Sequence, residues 1–149
     1  MKFFIVILAV IALAYAKDEW VPKTEAELAV IVKECLKDFP LSNEQLQKYA
    51  TYQYPDEEPI RKYMLCTAKR VGFFSEHEGY HADRVAKQFK IDLDEAEIVA
   101  IAEGCADKNV EGSSVDVWAY RGYKCVIASK IGERLKAYIQ NLKEEAKKH

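Results

Sequence analysis

Within "FFSEHEGYHADR", residues 73–84, His77, Glu78 and His81 fit the pattern H-E-x-x-H. On a helix that spacing sets two imidazoles on one face to hold a zinc ion, with the carboxylate between them as general base for hydrolysis. The chemistry depends on the helix, because the four-residue offset is what aims both rings at one metal. Here Gly72, Phe73 and Phe74 precede the motif and Gly79 sits inside it, a composition that reads as loop. The third histidine is His149 at the chain end, so no further ligand is evident. No nucleophile elbow, phosphate loop or paired-carboxylate site stands out elsewhere. The sequence therefore predicts no catalytic residue, no metal site and no cofactor, and it does not read as an enzyme.

Any other function needs elements to position it, and the first of these is a leader. "MKFFIVILAVIALAYA" has one basic residue, Lys2, then an apolar run, and ends in the small-x-small site Ala14-Tyr15-Ala16. That pattern predicts a secretory signal peptide over 1–16 and a secreted, extracellular domain over 17–149. The run is short for a membrane span and "KDEW" follows it, so no stable membrane insertion is expected. Loss of Lys2 with the leader moves the formal charge from −2 to −3. Near balance with both signs mixed argues against nucleic acid as partner. Four cysteines, Cys35, Cys66, Cys105 and Cys125, all lie in the exported part, and an even count in an oxidising compartment predicts two disulfides.

The periodicity is helical throughout. Thr24-x-x-Glu27 is a capping box ahead of Leu28, Ile31, Val32, Cys35, Leu36 and Phe39 at helical spacing. Pro40 ends that helix, and Ser42-x-x-Gln45 opens a short second one with Leu46 and Tyr49. Pro59 is placed to start a third, with Ile60, Met64, Thr67 and Val71 on one face and Gly72 as its stop. A fourth runs from about Ala82, a fifth from near Asp94 and a sixth from Ser113 or Ser114. Ile131, Leu135, Ile139 and Leu142 mark a seventh, placed to cap the interior or to pack on a second subunit. No segment reads as a strand pair. The fold class expected is all-α, with six or seven short helices. Three cysteine pairings are possible; Cys35 with Cys66 and Cys105 with Cys125 is preferred, closing loops worth about 3 to 4 kcal/mol each in the chain-entropy model.

On the sixth helix Ala119, Gly122, Tyr123 and Val126 share a face that is oddly small. Gly122 there costs roughly 1 kcal/mol relative to alanine, so either close packing or room for a ligand is its reason. With Phe73, Phe74, Tyr80, Phe89, Trp118 and Tyr123 nearby in type, an apolar pocket is one reading and a plain aromatic core the other.

The spacing Cys35-x30-Cys66-x38-Cys105-x19-Cys125 and the strings "KYMLCTAKRVGFF", "GCADKN" and "VWAYRGYKC" resemble the insect odorant-binding protein family, the pheromone and general odorant-binding carriers. The resemblance covers the mature chain. Members commonly have six cysteines, and Lys62 and Asp116 stand where two of them would be, so this chain looks like the four-cysteine "minus-C" type. The resemblance supports the preferred disulfide pairing and implies that Lys62 and Asp116 are adjacent, where an ion pair would replace a bond. It implies about six helices enclosing an internal apolar cavity for small hydrophobic ligands such as odorants, pheromones or fatty acids. The lining it implies is Met64, Ala68, Phe73, Tyr80, Val85, Phe89, Ile98, Ala119, Tyr123 and Val126, with Tyr80, Tyr123 and Thr67 as polar handles. A chemosensory receptor or a second copy of the chain would be its macromolecular partner. It would also set His77 and His81 at the pocket mouth, where joint protonation would open the loop. The alternative from another class is a secreted helical signalling protein whose apolar groups are only core.

Overall fold

The computed structural model describes residues 19–89 and 92–146. The expected signal peptide over 1–16, His149 and the side chain of Leu142 lie outside the described residues.

Three of the helices begin where a side chain satisfies a free backbone N–H group. Thr24 accepts from the Glu27 N–H and Glu27 accepts in return from the Thr24 N–H at 2.8 Å, opening α1 (Glu25–Asp38). Ser42 and Gln45 repeat the arrangement for α2 (Asn43–Ala50). Proline in the first turn starts α3 (Glu58–Val71), and Gly72 ends it in the left-handed conformation. After α4 (Ala82–Gln88), Asp94 caps α5 (Glu95–Cys105) by accepting from the Ala96 N–H at 2.8 Å. Ser114 precedes α6 (Val115–Ala128), and Ser129 alone separates it from α7 (Lys130–Ala146).

The expectation of no strand pair is corrected in one place. Phe74–Ser75 (β1) pairs antiparallel with Gly79–Tyr80 (β2), Phe74 opposite Tyr80 and Ser75 opposite Gly79. Two residues per strand are too few for alternating polarity to be visible, so no pattern announces it. Gly79 permits the turn: its φ is 77°, and a β-carbon there would stand 2.8 Å from the Trp118 ring.

Three apolar clusters hold the helices together. Cys35, Ile60, Tyr63, Met64 and Tyr120 join α1, α3 and α6. Val85, Ala86, Ile98, Ala102 and Ile131 join α4, α5 and the start of α7. Ala68, Phe74, Trp118 and Ala119 fix the hairpin between α3 and α6. The disulfides follow the same joints: Cys35–Cys66 ties α1 to α3, and Cys105–Cys125 ties α5 to α6. At the other end of α3, Trp20 Nε1 donates to the Val71 carbonyl at 2.9 Å and holds the segment before α1 in place.

Candidate functional site

Where the three clusters meet, they leave a pocket of about 250 Å³. Leu28, Ile31 and Val32 of α1 form one wall; Met64, Thr67, Ala68 and Val71 of α3 form the opposite one. Phe73 and Tyr80 close it from the hairpin side, and Tyr49, Tyr63 and Tyr123 close it with rings. Met64 is 2% exposed and lies at the floor, whereas Val32 is 41% exposed, so the pocket reaches solvent along α1. The side chains of the walls are apolar apart from the hydroxyl groups of Thr67 and the tyrosines. Larger surface grooves exist, but the one of about 470 Å³ beside Lys62 and Asp116 is rimmed by charged side chains already engaged in ion pairs.

The aromatic wall is ordered by edge-to-face contacts, the geometry that ring quadrupoles favour. Tyr49 meets Tyr54 at 4.9 Å and Tyr63 at 5.3 Å, and Tyr54 meets Tyr123 at 5.2 Å between centroids. The Tyr123 hydroxyl interacts with those of Tyr49 and Tyr54. The tyrosine hydroxyls, with Thr67, are the polar groups of an otherwise apolar wall. Burial pushes the Tyr49, Tyr80 and Tyr123 phenols above their ordinary value. The direction is that of an interior that disfavours negative charge.

A family model described as the PBP/GOBP family matches residues 17–129. The chain belongs to that family. Its relatives are odorant-binding proteins of insects. General odorant-binding protein 99a of Drosophila melanogaster is 29% identical over 136 residues, covering 89% of this chain and 94% of the relative. Odorant-binding protein 22 of Aedes aegypti is 28% identical over 125 residues, with 84% and 88% covered. General odorant-binding protein 99b of Drosophila melanogaster is 26% identical over 141 residues, with 88% and 94% covered.

Of the lining expected of an odorant-binding protein, the structure brings together Met64, Ala68, Phe73, Tyr80 and Tyr123. Val85, Phe89, Ile98 and Val126 pack in the second cluster, and Ala119 packs beside Trp118 and Phe74. The polar handles divide too. Tyr80 donates to the Ala119 carbonyl at 2.9 Å and Thr67 to the Met64 carbonyl at 2.9 Å, so both protons are taken. Tyr123 keeps its place in the hydroxyl set. The gap at Gly122 is filled from within the protein: the Tyr80 ring lies against it, 2.7 Å from where a β-carbon would stand. Sequence reasoning missed Tyr49 and Tyr63 as wall residues. Tyr63 lies one position from Met64 on a helix whose inward face was already evident, which was the available signal.

The ion pair expected between Lys62 and Asp116 forms with a different partner. Arg61 Nε donates to Asp116 Oδ2 at 2.8 Å and its Nη1 to Asp56 at 2.5 Å, while Lys62 pairs with Glu58 at 2.5 Å. Arg61 is turned 100° from Lys62 on α3, and its planar fork can serve two carboxylates at once. Lys62 instead finds a glutamate one turn back. Burial pushes the Asp116 carboxyl up, but the Arg61 hydrogen bond and charge outweigh it and hold it below the ordinary value.

"HEGYH" is the hairpin turn followed by the first residue before α4. His77 is exposed in the turn, and His81 stands 3.7 Å from Glu78 through Nδ1. The helical spacing that would aim two imidazoles at one ion is absent from this segment.

Proposed function

We propose that this member of the PBP/GOBP family is a secreted carrier, freed of residues 1–16, that holds a small, neutral, hydrophobic molecule in the pocket between α1, α3 and the hairpin. The observation that carries the reading is the wall itself: aliphatic side chains and aromatic rings, a small set of tyrosine hydroxyls, and phenols driven up by burial. Transfer of an apolar ligand from water contributes about 25 cal/mol per Å² buried, and a hydrogen bond to the tyrosine set fixes its orientation. At about 250 Å³ the space lies below the roughly 300–1,000 Å³ of sites for drug-sized molecules, which favours a volatile over a large lipid. The resemblance to odorant-binding relatives supports the same class of ligand.

Displacement of N-phenylnaphthylamine tests it. Ala68→Phe fills the pocket and should abolish uptake of the probe, while Ile98→Val, in the packed second cluster, should leave it within twofold. Tyr123→Phe should weaken a ketone competitor by about 2- to 12-fold, one net hydrogen bond, and leave an alkane competitor unchanged. Full uptake by a folded Ala68→Phe variant would remove the pocket reading and return the protein to a helical signalling role.

A further inference from the structure

A second space, of about 440 Å³, opens where the segment between α2 and α3 meets the junction of α6 and α7. Tyr52, Pro55, Ile127 and Ala128 supply an apolar floor, and three lysines stand around it. Their situations differ. Lys48 is paired with Glu44 at 2.7 Å. Lys124 donates to the Tyr54 carbonyl at 3.3 Å and lies 5.7 Å from the Tyr120 ring centroid, and Lys136 lies 5.5 Å from that of Tyr52. Among the described residues neither Lys124 nor Lys136 has a carboxylate within ion-pair distance, whereas Lys62, Lys69, Lys87 and Lys130 each have one. Two ammonium groups are thus held by ring faces and a carbonyl, with their charge unmatched.

The backbone gives an independent pointer to the same place. Tyr52 has φ 60°, left-handed and unusual for a bulky side chain, and that turn is what sets its ring beside Lys136. Such conformations persist where the surroundings over-determine them, and they cluster at binding sites.

We infer that this groove binds a single-chain amphiphile with an anionic head, a medium-chain carboxylate being the simplest. The head lies between Lys124 and Lys136, and the chain runs over Tyr52, Ile127 and Ala128. The inner pocket is no competitor for this ligand, because it has no cation and its buried phenols resist charge. The protein thus sorts by charge, a neutral molecule inside and an acid outside. Tyr54 is the partition: it lines the groove and packs on Tyr49 and Tyr123, both of which line the pocket.

The test is a backbone amide NMR titration of the mature protein with dodecanoate and with dodecanol, each below its aggregation limit. Dodecanoate should shift Tyr52, Lys124, Ile127 and Lys136, and its affinity should fall about tenfold in Lys124→Gln/Lys136→Gln, as for loss of charge-assisted hydrogen bonds. Added salt should weaken it as well. Lys33→Gln/Lys37→Gln removes the same charge from α1 and should change nothing. Dodecanoate shifts confined to Met64, Thr67 and Phe73 would overturn the inference, as would an equal loss in the control variant. Sedimentation with phosphatidylglycerol vesicles without any dodecanoate response would assign the lysines to a membrane surface and overturn it too. Dodecanol reports the inner pocket separately, so failure there is read on a different set of amides.

Discussion

A methyl group added at position 122 would stand 2.7 Å from two carbons of the Tyr80 ring. Two opposed effects meet there. Alanine is favoured over glycine inside a helix by about 1 kcal/mol, while overpacking costs about 1–3 kcal/mol. Gly122→Ala should therefore lower stability in urea unfolding, yet raise it by about 1 kcal/mol in a Tyr80→Ala background, where the ring is gone. Stabilisation in both backgrounds would mean that the ring does not rest on Gly122. The junction of α3 and α6 yields a second comparison. Asp116 bonds to Arg61 across two helices, and the side chains are 17% and 19% exposed, so Asp116→Asn should cost about 1.5–3 kcal/mol. Lys62→Gln breaks only an exposed pair within one helix and should stay within about 0.5 kcal/mol. Because the folded Asp116 value is depressed, its contribution is complete above the ordinary value of 3.8 and fades as pH falls through the lower folded one. The gap between wild type and Asp116→Asn should hold from pH 7 to about 5 and close in stronger acid; a gap that widened on acidification would contradict the assignment.

At the scale of the element, the joint between the hairpin and α4 carries a group that titrates near neutral pH, His81. Burial, then the Arg84 charge, lowers the His81 value below 6.5, against weaker opposing effects of Glu78 and Asp83. The unfolded chain therefore takes up the proton first, and the histidine costs stability once pH falls below about 6.5. Relative to His81→Gln, the wild type should lose melting temperature between pH 7.5 and pH 5.5. Parallel shifts in both proteins would clear His81 of any part in acid sensitivity. The seven helices and most of their caps were legible in advance because capping boxes, prolines and the Gly72 stop are local signals, decided within four residues. The hairpin was not, since two-residue strands carry no period and Gly79 is explained only by a tryptophan 39 positions later. The pocket was half legible for the same reason. Periodicity finds Met64, Ala68 and Tyr123 on inward faces, but whether an inward ring lines a space or fills one depends on neighbours distant in sequence. Val85 and Ile98, equally inward, pack with Ile131 instead.

At the scale of the molecule, the two disulfides hold different things. Cys35 is wholly buried with Ile60, Tyr63 and Met64, and its bond to Cys66 fixes α1 against α3, the two long walls of the pocket. Cys125 is exposed, and its bond to Cys105 fixes α5 against α6 beyond the pocket. Closing 31- and 20-residue separations makes the entropic stabilisation similar, about 3 to 4 kcal/mol each, so loop length does not distinguish them. Access does, because exchange needs a thiolate to reach a sulfur. Stepwise reduction with alkylation and peptide mass spectrometry should open Cys105–Cys125 first. That intermediate should still take up N-phenylnaphthylamine, since both pocket walls remain tied. Uptake should fail only when Cys35–Cys66 opens, and Cys35→Ser/Cys66→Ser should reproduce the failure while Cys105→Ser/Cys125→Ser does not. Loss of uptake at the first opening would mean that the α5–α6 tie also shapes the pocket, and the cluster of Val85, Phe89 and Ile98 would then belong to the binding site after all.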